Sequence, residues 1–278
     1  MMDVRFNALN EHIHKFIVVE SLFSHSGEKK KLNFDINNYP KFKDKIIYLV
    51  IDREPDDLIN PLNENIQYKR INSIKRIELS YDFMMSEIKK LSDNDLIILS
   101  DNDEIPNLDS TQFKDSNSDI YIFKQLFFYY KFNLLYDRMY WFGSKACTKK
   151  KLKSLSWLRN LKNKKYPFWR VDTFFSKTKN SSLKIINDGG WHFTNVMSAE
   201  NLYTKMTNFG HHDEFELSEL SVEDLKIKIN QGLVFYDHFA GQEDKNKWEF
   251  NYKLKKISDN LLPDSLIKDK IKLKEWFN

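Results

Sequence analysis

The sequence predicts an α/β protein with a mostly parallel, doubly wound sheet and a mixed C-terminal half. Two features predict this class. Before Pro106, short apolar segments alternate with helical patterns, and each apolar segment is closely followed by an acidic residue. After Pro106, longer aromatic-rich runs at 120–130 and 135–142 are typical of antiparallel strands or a hairpin. We expect the 278 residues to form one domain.

The first half is predicted to contain two helices and three strands. A first helix follows from apolar residues spaced three or four apart, namely Met2, Phe6, Leu9 and Ile13. The strands are 16–19, which ends at Glu20, 46–51, which ends at Asp52, and 96–99. A long helix before the third strand follows from the same spacing of Ile74, Ile77, Tyr81, Met84, Ile88 and Leu91.

The second half is predicted to mix short strands with helices. A basic helix lies around 149–161, and strands at 183–186 and 190–193 flank a turn. Helices are expected at 199–209 and at 222–231, where Gly232 ends the second of them. A last helix at 263–277 begins at Pro263.

Composition excludes several classes of protein. Hydrophobic residues make up 41% and aromatic residues 15%, which argues against disorder. The single cysteine, Cys147, excludes an internal disulfide framework and a thiolate zinc site. We find no signal-peptide pattern and no apolar run of transmembrane length, so we expect a soluble, cytoplasmic protein. Peripheral contact with a membrane stays open.

The charge is unevenly distributed, although the net charge is only +4. Residues 138–171 contain eleven Lys or Arg and no Asp or Glu, which leaves 33 basic and 40 acidic residues elsewhere. This segment indicates an anionic partner such as a diphosphate, a charged glycan or a lipid, or else a solvated helix face. The aromatic residues show no RNA-binding signature, so we expect no nucleic-acid partner.

The most informative segment is 96–106, Leu-Ile-Ile-Leu-Ser-Asp-Asn-Asp-Glu-Ile-Pro. A buried strand here delivers Asp101 and Asp103 to its C-terminal end, where open α/β sheets bind ligands. Two carboxylates one residue apart can share a divalent cation, and that cation can hold phosphates. The alternative is a solvated acidic turn.

Two further segments carry histidine. In 188–193, Asp-Gly-Gly-Trp-His-Phe, His192 is a candidate third metal ligand and Trp191 a surface for stacking on a sugar, or else both belong to the core. In 210–215, Gly-His-His-Asp-Glu-Phe, Glu214 or Asp213 is a candidate general base, or else the segment is an exposed loop. Sequence motifs of dinucleotide oxidoreductases, P-loop NTPases, α/β-hydrolases and zincins are absent.

Several short motifs together resemble glycosyltransferase family 17, the family of the β-1,4-mannosyl-glycoprotein β-1,4-N-acetylglucosaminyltransferase and its bacterial and viral relatives. They follow the family order over almost the whole chain: Phe16 to Ser21, Ser26-Gly27, Leu32-Asn33-Phe34, Ser100 to Pro106, Phe128 to Tyr130 with Asn133, Trp141-x-Gly143, Leu158-Arg159, Gly190 to Phe193, and His212-x-Glu214-Phe215. The acidic motif and the Gly-Trp-His motif together are fairly specific.

This resemblance implies a GT-A-like domain in which residues 1–106 form a nucleotide-binding half and 107–278 an acceptor half that completes the metal site. It implies an inverting transfer from a nucleotide sugar, with UDP-GlcNAc as donor and a glycan, including an anionic one, as acceptor. The cofactor would be Mn²⁺ or Mg²⁺. Its ligands would be Asp101, Asp103 and His192.

The remaining site residues are also expectations. Donor contacts are assigned to Glu20, Arg70, Asn72, Asp101, Lys145 and Trp191. The catalytic base is assigned to Glu214, with Asp188 and Asp213 as rivals. Aromatic residues near Tyr129 and Tyr130 are expected to wall the sugar site.

The sequence departs from the family pattern at two places. The family has a strand before the first helix, whereas this sequence begins inside that helix, so the first family strand is expected to be missing. The family's Gln-Arg-Asn on the long helix is here Arg70-Ile71-Asn72, and a displacement by one residue rotates the arginine by about 100°. An alternative function is therefore a non-catalytic protein that binds carbohydrate or polyanions on a truncated transferase fold.

Overall fold

The computed structural model describes residues 1–59, 66–167, 176, 178–208, 212–216, 218–241 and 244–278. These residues form two units. Unit one comprises Met1–His14, Met85–Thr194 and Lys255–Asn278, and unit two comprises Lys15–Met84 and Asn195–Leu254. Both combine helices with strands, which confirms the predicted α/β class. The predicted segment at Gly210 and His211 lies outside the described residues.

The described elements have the following bounds. The strands are β1 Phe16–Ser21, β2 Ile46–Ile51, β3 Leu96–Leu99, β4 Glu104–Pro106, β5 Ile120–Phe123, β6 Leu126–Tyr129, β7 Leu134–Leu135, β8 Lys145–Thr148, β9 Leu183–Ile186, β10 Gly190–Thr194, β11 Leu233–Val234, β12 Tyr252–Lys253 and β13 Lys255–Lys256. The α-helices are Met2–Leu9, Ile66–Ile88, Thr111–Lys114, Leu155–Asn160, Ala199–Asn208, His212–Glu216, Val222–Gln231 and Asp264–Lys268. Short 3₁₀ turns lie at Ile36–Asn38, Pro40–Lys45, Lys149–Lys151, Lys245–Glu249, Asp259–Leu261 and Lys274–Trp276.

Unit one contains two mixed sheets, with strand orders β3-β8-β5-β9 and β13-β7-β6-β10-β4. Only the β5–β9 and β6–β10 pairs of these sheets are parallel among the described residues. The expectation of a mostly parallel sheet is therefore wrong for this unit. The apolar run 96–99 does form β3, but β3 pairs antiparallel with β8. An apolar run reports burial and carries no information about the direction of its neighbour.

Aromatic side chains fill the core of unit one. Phe127, Phe128 and Phe193 are almost fully buried. Tyr129 and Tyr130 are 0% and 1% exposed, so these two side chains belong to the core, and a sugar site walled by aromatic residues near them stays a prediction. Strands β6 and β10 pair in parallel, with Phe128 opposite Phe193, and this pairing brings the aromatic rings of the two strands together.

Unit two contains the first two predicted strands. β1 and β2 pair in parallel from Phe16 opposite Ile46 to Ser21 opposite Ile51. The helix Val222–Gln231 is confirmed at both ends, with a Ser221 capping box and Gly232 at φ 60°. Among the described residues, no helix is long and apolar enough to cross a membrane.

Two predicted helices are shorter than expected. The helical stretch at 149–161 is a 3₁₀ turn followed by Leu155–Asn160, because the Ser154 side chain caps a new helix at the Trp157 amide. The last helix ends at Lys268 rather than continuing to 277. Ile271, which a continuing amphipathic helix would bury, is 89% exposed.

Candidate active site

The acidic motif forms a closed turn between β3 and β4 in unit one. The Glu104 amide donates to the Asp101 carbonyl at 3.1 Å, and the Asp101 amide donates to Glu104 Oε2 at 3.0 Å. The Arg5 side chain, from the first helix, donates to the backbone carbonyls of Asp101 and Glu104. The carboxylates of the motif therefore project from a backbone that is held on several sides.

Glu104 is the buried centre of this turn. Its side chain is 0% exposed, and it accepts from Trp141 Nε1 at 2.7 Å and Ser144 Oγ at 3.5 Å. Arg159 Nη1 lies 3.3 Å from Glu104 Oε1. Burial raises the pKa of Glu104, with a contribution from Asp101, while Arg159 opposes the shift. Such a carboxylate is stable only where several donors surround it.

Gly143 makes room for the Glu104 carboxylate. A Cβ at this position would lie 1.6 Å from Glu104 Oε1 and 2.3 Å from Trp141 Nε1. The Trp-x-Gly motif thus has a physical explanation: the tryptophan donates to the buried carboxylate and the glycine leaves space for it.

Arg159 links Glu104 to the exposed side of the turn. Its Nη2 donates to Asp101 Oδ2 at 2.6 Å, and its Nη1 also donates to the Gly143 carbonyl at 3.3 Å. The Asp101 side chain is 57% exposed and that of Arg159 26%. One guanidinium therefore bridges a buried carboxylate and an exposed one.

His192 lies beside the turn because β10 pairs antiparallel with β4, with His192 opposite Glu104. Its Nε2 is 3.4 Å from Asp103 Oδ1, and its ring packs against both Phe127 and Trp141. His192 is 5% exposed, and its buried Nδ1 has no hydrogen-bond partner in the described structure. The structure thus places Asp103 and His192, two of the three predicted metal ligands, next to each other, and their role as ligands stays a prediction.

The distance between Asp103 Oδ1 and His192 Nε2 is the distance expected between two ligand atoms of one divalent cation. The 3.4 Å separation exceeds an ordinary hydrogen bond, and two atoms about 2.1 Å from one ion lie about 3.0–3.4 Å apart. Asp101 differs, because its carboxylate is engaged by Arg159. Within the described residues, no three His, Cys, Asp or Glu side chains are grouped so that they could hold a metal ion.

The other predicted site residues of unit one have polar contacts within the protein. Lys145 is buried, and its Nζ donates to the carbonyls of Arg159 and Leu161 at 2.6 and 2.7 Å. Burial, with Arg159 nearby, lowers its pKa to about 8. Trp191 Nε1 donates to the Leu261 carbonyl at 2.6 Å, and exposed Asp188 accepts from Ser110 Oγ at 2.6 Å. Donor contacts by Lys145 and Trp191 stay predictions.

In unit two, Glu214 forms an ion pair. Its Oε2 accepts from Lys247 Nζ at 2.5 Å, and Arg70 Nη1 lies 3.6 Å from its Oε1. Glu214 is 9% exposed. The described part of the chain leaves out the side chain of Asp213, whose backbone lies in the helix His212–Glu216.

Two more residues of unit two that are predicted to contact the sugar donor, Glu20 and Asn72, form hydrogen bonds with the protein backbone. Glu20 accepts from the amides of Asn33 and Phe34 and from Lys30 and Tyr48. Burial favours a higher pKa for Glu20, but these donors outweigh it and lower the pKa. The Asn72 side chain bonds the Ile59 amide and carbonyl, both at 2.9 Å. Their donor roles likewise stay predictions.

Part of the basic segment 138–171 is neutralised inside unit one. Lys149 pairs with Asp93 at 3.3 Å, and Lys150 and Lys151 each lie 3.6 Å from an Asp119 oxygen. Together with the burial of Lys145, these pairs leave fewer cations for a polyanion than the sequence suggests.

Comparison with known proteins identifies the family. A model of glycosyltransferase family 17 matches residues 1–239 of the 278. The chain belongs to glycosyltransferase family 17. Comparisons with curated proteins and with solved structures gave no match. Membership in family 17 supports an enzyme that transfers a glycosyl group, and it confirms the resemblance drawn from the sequence motifs.

Sequence reasoning about this family 17 protein missed the residues that hold the acidic turn. Glu104, Trp141, Gly143 and Arg159 all belong to motifs that carried the resemblance, but none received a role. A sequence signal for these residues does exist. Trp141 and Arg159 can donate hydrogen bonds to a buried carboxylate, Gly143 leaves space beside it, and all three belong to motifs of the resemblance. Arg5 carries no such signal, since it lies outside the motifs that carried the resemblance.

Proposed function

We propose that this family 17 protein is a metal-dependent, inverting glycosyltransferase that moves N-acetylglucosamine from UDP-GlcNAc to a hydroxyl of a glycan. The observation that carries the proposal is the 3.4 Å distance between His192 of β10 and Asp103 of the turn that Arg5 and Glu104 hold in place. A carboxylate and an imidazole at this spacing provide the ligand types that Mn²⁺ accepts.

Asp103 and His192 would hold the cation, and the Asp101 carboxylate would be its third protein ligand. When bound, the cation supplies charge that stabilises the leaving diphosphate. Glu104 and Arg5 keep the turn in place, so that the carboxylates need little reorganisation when donor binds. Asp103 is 14% exposed in its side chain, which strengthens its attraction for a cation relative to a fully solvated carboxylate.

The test is transfer or hydrolysis of UDP-GlcNAc with Mn²⁺ and with EDTA. We expect activity with Mn²⁺ and loss of at least about a hundredfold with EDTA or in the Asp101→Ala, Asp103→Ala double variant, because each removes stabilisation of the leaving group. UDP-glucose and UDP-galactose serve as competing donors. The anomeric proton of the first-formed product, followed by NMR, reports inversion.

The control for this test is Asp93→Asn. Asp93 is 77% exposed and pairs with Lys149 in the same unit, so its loss should leave turnover within about twofold. Turnover that is equal with Mn²⁺ and with EDTA, or unchanged in the double variant, would contradict the metal assignment.

For the catalytic base we propose Glu214. Its carboxylate accepts from Lys247 Nζ at 2.5 Å and lies 3.6 Å from Arg70 Nη1, so the side chain is held in one position. We expect Glu214→Gln to lower kcat by about 10²–10⁴, because the amide cannot take up the proton of the acceptor hydroxyl. Asp188→Asn, the rival, should cost less than about tenfold. The reverse order of the two variants would assign the base to Asp188.

Binding of UDP and of a polyanion, measured at increasing salt concentration, distinguishes the glycosyltransferase from the non-catalytic binding protein considered above. We expect Mn²⁺-dependent binding of UDP and weak binding of polyanions, since several lysines of the basic segment are paired. Salt-sensitive polyanion binding without any affinity for UDP would favour the non-catalytic alternative.

A further inference from the structure

The basic segment 138–171 contains two groups of exposed lysines that differ in their surroundings. Lys150 and Lys151 each lie near an acidic side chain, as described above. Residues 162–165, Lys-Asn-Lys-Lys, follow a helix that ends at Asn160, and all four are exposed. In the part of the chain that the structure describes, the side chains of these three lysines have no ion pair and no hydrogen bond. We call residues 162–165 the basic loop.

The basic loop begins close to the acidic turn. β8 pairs with β3, the strand that leads into the turn, and Lys145 of β8 lies opposite Leu99. The buried Lys145 ammonium donates to the Leu161 carbonyl at 2.7 Å, and Leu161 directly precedes the loop. One buried side chain thus ties the start of the basic loop to the strand beside the acidic turn.

The surroundings of the basic loop are positively charged. Residues 138–171 contain no Asp or Glu. The pKa of Lys145 is lowered to about 8, first by burial and then by the charges of Arg159 and Lys162, whereas Glu104 opposes the shift. Exposed ammonium groups without a carboxylate beside them leave a positive potential at the surface, and this potential attracts anions.

The apolar side chains next to the basic loop point into the protein. Leu155, Leu158 and Leu161 are 1%, 0% and 3% exposed. Among the described residues from 141 to 202, no large hydrophobic side chain is exposed. A surface that binds a lipid bilayer presents apolar groups that enter the lipid, whereas an acidic glycan is bound by cations and hydrogen-bond donors. The described surface therefore fits an acidic glycan better than a membrane.

We propose that the basic loop binds acidic groups on the acceptor glycan, so that the protein selects acidic glycans as acceptors. This inference rests on the proposed transfer to a glycan, although the binding itself needs neither the sugar donor nor a cation. Few lysines take part and all are exposed, so the binding is weak and sensitive to salt.

The experiment measures the binding of two oligosaccharides of equal length by calorimetry, in EDTA and without UDP. A hyaluronan hexasaccharide carries a carboxylate on every second sugar, and a chitin hexasaccharide is neutral. At low salt we expect the parent protein to bind the acidic one at least about fivefold tighter, and added salt to remove the difference because exposed charges are screened. Equal affinity for the two at low salt overturns the proposal.

A pair of double variants tests whether the basic loop carries the preference. Lys164→Gln with Lys165→Gln should weaken binding of the acidic hexasaccharide at least about fivefold. The matched control is Lys150→Gln with Lys151→Gln, which removes the same charge from lysines of the same segment that lie near Asp119. We expect the control to stay within about twofold of the parent. Equal losses in the two double variants would show that net charge alone attracts the glycan, and would overturn the proposal.

Two further measurements separate the acceptor from other anionic partners. An excess of UDP with Mn²⁺ should not displace the acidic hexasaccharide from the parent protein, and displacement would assign the basic loop to the sugar donor instead. Vesicles of phosphatidylglycerol that bind the parent protein while neither hexasaccharide does would assign the loop to a membrane. An inactive parent protein that still prefers the acidic hexasaccharide would contradict the proposed transfer, whereas the anion site of the basic loop would stand.

Discussion

Gly190→Ala is expected to destabilise the protein by about 4 kcal/mol, the largest effect of a single methyl group that the structure predicts. Gly190 has φ +111°, a conformation that residues with a Cβ rarely adopt. A Cβ there would lie 2.2 Å from the Ile105 carbonyl and 2.6 Å from the Asn107 amide. Both are backbone atoms beside the acidic turn, so neither can move aside cheaply.

The measurement for Gly190→Ala is thermal and urea unfolding followed by circular dichroism. For a chain of this size we expect the Tm to fall by about 10 °C. Gly241→Ala is the matched control, because a Cβ at Gly241 meets no atom of the described residues within 4 Å. Its stability should stay within about 0.5 kcal/mol of the parent. Equal stability of the two variants would show that the β4–β10 pairing is not as described.

Gly143→Ala is expected to cost about 3 kcal/mol and most of the enzymatic activity. Its Cβ would overlap Glu104 Oε1 at 1.6 Å and Cδ at 2.2 Å. The carboxylate is the end of a side chain and could swing aside, but it would then lose Trp141, Ser144 and the Asp101 amide. The turn that presents Asp101 would lose its buried anchor.

Unfolding and activity together test the role of Gly143. We expect the Tm to fall and turnover to drop by at least about a hundredfold, with Gly241→Ala again as the control. A variant that is destabilised but fully active would show that the contacts of Glu104 are not needed for activity. A variant with the parent's stability would contradict the contacts of Glu104 altogether.

Sequence periodicity predicted elements of this protein better than it predicted their pairing. The strand at 96–99 and the helix at 222–231 were correct because apolar spacing and capping residues are local signals. The antiparallel pairing of β3 with β8 was missed, since it joins residues nearly fifty positions apart. The helix expected at 263–277 was too long, because Ile271, which a continuing amphipathic helix would bury, is 89% exposed.

The candidate site shows the same division. Strand-end position and family motif predicted Asp103 and His192 for one site, and the structure places their side chains 3.4 Å apart. The bridge from Glu104 through Arg159 to Asp101 was not foreseen, because a buried carboxylate looks like any acidic residue until its donors are known. Tyr129 and Tyr130 themselves lie in the core, where aromatic residues on a strand often lie.

We propose that the acidic turn binds a divalent cation that in turn holds a nucleotide diphosphate. The most direct test is calorimetric titration of UDP into the protein with Mn²⁺ and with EDTA, repeated for Asp103→Asn. We expect UDP to bind at least tenfold tighter with Mn²⁺, and we expect this difference to vanish in Asp103→Asn because one of the two paired ligands is weakened. Equal affinity for UDP with and without Mn²⁺ in the parent protein would contradict the claim.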